Sequence, residues 1–102
     1  MGVFTYGSGE ATYRTGLNDE CLQALELLIC EAYALHDAFR VVIATDEHTD
    51  VLFVTQGVPL QIHYDAKPDV DAIDEDALQA SKKTMKDRAV IVVGGTTVPG
   101  PV

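Results

Sequence analysis

Basic side chains are scarce. Seven Lys and Arg stand against sixteen Asp and Glu, for a formal net charge of −9, and the excess acid is spread along the chain rather than gathered in a tail. A field of that sign repels phosphate, so direct binding of DNA or RNA is not expected. It leaves a surface that meets a basic partner, a mimic of nucleic acid in a basic cleft, or plain solubility, including solubility in a salty cytoplasm. Long apolar runs are missing too. The longest is interrupted by Glu26 and Glu31, far short of the ~18 residues of a membrane span. Residues 1–16 lack the basic start and apolar block of a secretory signal. The expectation is a soluble, cytoplasmic protein with no membrane partner.

Cysteine is limited to Cys21 and Cys30. On one helix they are separated by about 13 Å along the axis, which excludes a disulfide between them. Cys21 falls on the apolar stripe, and Cys30 on a polar seam with Asp19, Gln23, Glu26 and Asp37, where carboxylates disfavour a thiolate.

Catalytic motifs are equally sparse. Gly7-Ser8-Gly9 has neither the spacing nor the Lys of a phosphate-binding loop. No Ser or Cys stands in a G-x-S-x-G elbow to complete the His-carboxylate neighbours His36/Asp37 and His63/Asp65. A metal site built from His48 and His63 with Asp46 or Asp50 has no spacing signature, since the two histidines stand on separate loops or strands. The acidic run from Asp65 to Asp76 breaks the calcium-loop pattern at Ile73 and Asp74, and reads instead as the cap of a helix. Glu20 and Glu31 lie at the helix margin, roughly 16 Å apart, too far to act as a carboxylate pair. No catalytic residue, cofactor or metal ligand is expected.

What is present is a strongly periodic stretch from Leu17 to Arg40. Leu17, Cys21, Leu25, Leu28, Ala32, Leu35 and Phe39 recur at helical spacing and face one core. Asn18 or Asp19 supplies the N-cap, and Arg40 suits the negative C-terminal end. Leu22 and Ile29 widen the stripe on one flank, Leu27 and Ala34 on the other, and this surplus asks for further cover.

Three strands are expected next, around Val41–Thr45, Val51–Thr55 and Leu60–Tyr64, forming a meander with the third strand outermost. A short helix follows through Leu78, Ser81 and Met85, with acids at its start and Lys82, Lys83, Lys86 and Arg88 towards its end. The all-apolar run Ala89–Val93 then reads as a strand covered on both faces or buried in a subunit interface. It is parallel to the Leu60–Tyr64 strand if both share a sheet and, by alternation, also parallel to the first meander strand and able to lie beside it.

The resulting expectation is a single α+β domain over residues 1–102. It is a two-layer sandwich of a long N-terminal helix and a shorter one on a mixed, mainly antiparallel sheet of about four strands, in the order α-β-β-β-α-β. Residues 1–16 form an arm or short hairpin, and residues 96–102 an extended tail. The functional expectation is a small acidic module for protein–protein interaction without catalysis: an inhibitor, an immunity-like factor, a chaperone or an assembly subunit. It would associate with itself or with a basic protein through Leu22, Leu27, Ile29, Glu26, Asp46, Glu47 and Asp50. The alternative is a small-molecule-binding protein or enzyme with a His/Asp site between sheet and helix.

Overall fold

The long helix α1 spans Asp19–Leu35 in a computed structural model that describes residues 2–45, 47–66 and 74–94. Its N-cap is Asn18, whose side chain accepts a hydrogen bond from the Cys21 amide at 2.7 Å. The helix is shorter at both ends than the stretch from Leu17 to Arg40. Leu17 closes a strand, and Phe39 and Arg40 belong to another. Both apolar residues fit a helical repeat, but Phe39, Val41 and Ile43 also alternate, and His36 at φ −133° is already extended. Arg40 is therefore no helix terminator.

The first residues are a built hairpin rather than a loose arm. Strand β1 (Gly2–Tyr6) pairs antiparallel with β2 (Tyr13–Leu17), a single 3-10 turn at Gly9–Ala11 lying between them. Gly7 begins the reversal at φ +102°, a conformation open to glycine at little cost. Gly2 is needed for a different reason. A Cβ there would collide with the His63 carbonyl oxygen and come within 2.6 Å of Leu22 Cδ1.

The remaining strands are β3 (Ala38–Ala44), β4 (Thr49–Thr55), β5 (Leu60–His63) and β6 (Val90–Gly94), with helix α2 (Glu75–Arg88) between the last two. They do not form one sheet of about four strands. The architecture is α+β, with two helices and two three-stranded sheets ordered β2-β1-β5 and β4-β3-β6. The expected meander is corrected at its third strand: β3 and β4 form the hairpin, but β5 leaves it to pair antiparallel with β1. A Gly7 amide bond to the Pro59 carbonyl, 2.9 Å, fixes the start of that pairing. Strand β6 does lie parallel beside β3. The expected tail at 96–102 falls outside the described residues, as do residues 67–73 of the acidic run.

Both sheets share one core. Phe4 from the first sheet and Phe39, Val41, Ile43, Val54, Ile91 and Val93 from the second cluster with Leu22, Leu25, Leu28, Ile29 and Ala32 of α1 and Leu78 and Met85 of α2. Burying each large member contributes about 1.5–3 kcal/mol. The surplus on one flank is thereby used inside the chain, with Leu22 fully buried and Ile29 at 3% exposure, whereas Leu27 and Ala34 on the other flank stay exposed.

Tyrosine hydroxyls tie the elements together. Tyr6 and Tyr13 are register partners on the first sheet. The Tyr6 hydroxyl accepts from the Thr55 amide at 3.1 Å and donates to the Phe53 carbonyl at 3.2 Å. Tyr13 donates to Asp50 Oδ2 at 2.9 Å. All three bonds land on β4, and the two made by Tyr6 close part of the β4 edge of the second sheet. At the other end, Tyr64 donates to Glu26 Oε1 at 2.8 Å, joining the end of β5 to α1.

Helix α2 is capped as expected. The Asp74 side chain accepts from the Asp76 and Ala77 amides. It ends at Ala89, which is left-handed at φ 54° where glycine is usual, and whose carbonyl accepts from the Arg40 amide.

Leu28, at 2% exposure, tests the orientation of α1. Leu28→Asp buries an unpaired charge and is expected to abolish the cooperative melt seen by circular dichroism. A melt like that of the parent would show that the helix faces another way.

Candidate interaction surface

Register decides which residues share a face, because cross-strand partners point the same way. On the second sheet, Phe39, Val41, Ile43, Leu52, Val54, Ile91 and Val93 point into the core. The opposite face carries Ala38, Arg40, Val42 and Ala44 from β3, Thr49, Val51, Phe53 and Thr55 from β4, and Val90 and Val92 from β6. These strands contribute no carboxylate to that outer face, although the chain carries sixteen. Val42 and Val90 are buried on it yet stand outside the core cluster. Beside them Phe53 is 72% exposed and Val51 46%. A large aromatic left this open, with Arg40 as its cross-strand partner and Val51 two residues before it on β4, marks an exposed surface.

The free edge of this sheet is less available than its face. Phe53 O and Thr55 N–H, which point away from β3, are both engaged by Tyr6. An approaching strand would have to displace that hydroxyl.

The residues expected to mediate interaction are scattered over the fold. Leu22 and Ile29 are core residues, and of the three apolar ones only Leu27 is open, at 39%. Glu26 holds the Tyr64 hydroxyl on the flank of α1. Glu47 and Asp50 belong to the β3–β4 hairpin, where Glu47 is exposed and Asp50 is bonded by Tyr13. Asp46 lies outside the described residues. Phe53 and Val51 are not among the residues expected to mediate interaction. Their signal was present in Val51-Leu52-Phe53-Val54, an apolar run on a strand with no polar face.

The histidines occupy three separate elements. His36 Nε2 lies 2.9 Å from the Met85 carbonyl, which can only accept, so that nitrogen carries the proton and the ring ties α1 to α2. His48 Nε2 is 3.3 Å from Asp50 Oδ2 in the hairpin, and His63 Nε2 is 3.6 Å from Asp65 Oδ1 after β5. Among the described residues no three His, Cys, Asp or Glu side chains come together as a metal site. Glu31 receives Lys82 and Lys86 at 3.7 and 3.5 Å across the helix pair. Cys21 is half-buried, and burial pushes its thiol up; Cys30 is exposed. Gln23, expected on the polar seam, is buried at 4%.

No family model, no curated protein and no solved structure matches the chain. The functional reading rests on the residues themselves.

Burial and the adjoining Asp50 carboxylate push the Tyr13 hydroxyl from 10.0 up to about 12. The same two causes, with Glu26 as the carboxylate, raise the Tyr64 hydroxyl still further. A phenol that ionises later in the folded chain stabilises it below pH 10.0, and that stability drains away as the pH rises through about 12. Alkaline titration followed by phenolate absorbance is expected to show Tyr13 ionising late. Asp50→Asn should return it towards 10.0 and flatten the alkaline loss of stability. An unchanged titration would rule out the Tyr13–Asp50 bond.

Proposed function

We propose that the chain is a small, non-catalytic interaction module whose copies associate through the outer face of the β4-β3-β6 sheet. The observation that carries this reading is Phe53, 72% exposed on the edge strand β4 of an acid-free face. A contact between identical copies needs a patch that is complementary to itself. On a chain of net charge −9 most of the surface repels its own copy. The face around Phe53 is where that repulsion is least and where apolar area is gained.

The size of the face sets the strength of the contact. Three strands at about 4.8 Å spacing and some 20 Å of length give on the order of 300 Å², against about 800 Å² per partner in a standard stable interface. The association is therefore weak and reversible. Within the class of interaction proteins, a self-complementary face favours an assembly subunit over an inhibitor or chaperone. The acidic remainder of the surface, with Glu26, Glu47 and Asp50, is left for a basic protein partner. The His/Asp pairs belong to separate elements, which favours this reading over a catalytic one.

Sedimentation velocity over a wide concentration range is the test. The expected result is a reversible dimer whose dissociation constant rises by about tenfold or more in Phe53→Ser, with an unchanged melting temperature because the ring is outside the core. A parent that stays monomeric throughout, or a variant that associates equally well, would overturn the proposal.

A further inference from the structure

We propose that the outer face of the first sheet is a binding site for a small organic carboxylate, held by Arg14, Thr5 and Gln61 over the apolar floor of Val3. An open cleft of about 220 Å³ lies there, lined by Val3, Thr5, Arg14, Gln61 and His63. Register builds it in two rows. Thr5 on β1 stands between Arg14 on β2 and Gln61 on β5; Val3 stands between Gly16 and His63. Gly16 adds no side chain to its corner, which leaves room beside Arg14.

The lining is chemically one-sided. Guanidinium, hydroxyl, amide and imidazole groups can all donate hydrogen bonds, and none of the five residues is acidic. Arg14 makes no ion pair among the described residues, whereas Lys82 and Lys86 are both drawn to Glu31. Outside α2, Arg14 and Arg40 are the only described Lys or Arg. A guanidinium kept free of the chain's many carboxylates, flanked by neutral donors, fits a carboxylate from elsewhere.

Size and charge narrow the ligand. A volume of about 220 Å³ is below the ~300 Å³ at which drug-sized ligands are accommodated, so the ligand is small. Rows in a sheet lie about 7 Å apart and neighbouring strands about 4.8 Å apart. A carboxylate on the Arg14–Thr5–Gln61 row then places a short carbon body over Val3, pointing towards His63. Asp65, 3.6 Å from His63 Nε2, competes at that far end, so the anchor is Arg14. The net charge of −9 opposes any anion, but at physiological salt it is screened over about 8 Å, and the adjacent guanidinium governs the local potential.

The probe is succinate, titrated at physiological salt into isotope-labelled protein. Saturable shifts are expected at the Arg14 side-chain N–H, the Thr5 amide and the Gln61 side-chain amide. Arg14→Gln should weaken binding by about tenfold or more, and Arg14→Lys should restore part of it. Succinamide, which has the same shape without charge, should give no saturation. Absence of saturable shifts with succinate, equal shifts with succinamide, or binding indifferent to Arg14→Gln would each overturn the proposal. Inorganic phosphate binding as tightly as succinate would overturn the choice of a carboxylate. Circular dichroism of the variants checks that they fold, which the exposure of Arg14 leads one to expect.

Discussion

The apolar arc of α1 is the constraint on which the rest depends. Seventeen residues of helix reach about 25 Å, enough for two small sheets to bury their inner faces against one element. The N-terminal half meets the first sheet. There Leu22 packs on Gly2, the Asp19 carboxylate takes the Ala66 amide, and Glu26 takes Tyr64. The C-terminal half meets the second sheet and α2: Tyr33 stacks edge-on against Phe39 at 5.4 Å, and His36 bonds the Met85 carbonyl. A three-stranded sheet alone buries little, so neither half of the molecule has a sufficient core without this helix.

From that sharing follows the treatment of strand edges. The first sheet turns its inner face past β4, and the register pair Tyr6 and Tyr13 projects from it to bond β4. The Tyr6 hydroxyl thereby satisfies backbone atoms that would otherwise invite another strand, while Tyr13 holds the Asp50 side chain. Each sheet also carries exposed residues on its outer face, and the two faces differ in kind. Around Phe53 the surface is apolar and free of acid; around Arg14 it is a cleft of hydrogen-bond donors. No carboxylate belongs to the strand residues of either face, although Asp65 reaches His63 at one end of the cleft.

Local pattern revealed the elements better than their neighbours. The helix was legible from its repeat, its cap as Asn18 or Asp19, and the second helix from Asp74 and the Lys-rich end; the place of β6 beside β3 was one of two placements open, the other being in a sheet with β5. Leu17 and Phe39 were misassigned because single apolar residues at the ends of a repeat satisfy period two as well as period 3.6. The departure of β5 to β1 is a contact across more than fifty residues, and alternation in Leu60, Ile62 and Tyr64 specifies a strand without naming its partner. Of the surplus apolar flanks of α1, that of Leu22 and Ile29 is covered within the chain, Leu22 by the first sheet, which was legible only as an arm or short hairpin, while Leu27 and Ala34 stay exposed. Of the site, the charge imbalance was visible from composition. The row of Arg14, Thr5 and Gln61 was not, since it exists only after distant strands are in register.

Native-state hydrogen exchange tests the shared core most directly. If α1 holds both sheets in one cooperative unit, the slowest amides of the first sheet, at Phe4 and its neighbours, and those of the second, at Val41 and Ile43, exchange with the same free energy of opening. First-sheet amides that open far more readily, while the second sheet stays closed, would show the hairpin to be a docked appendage and would contradict the account.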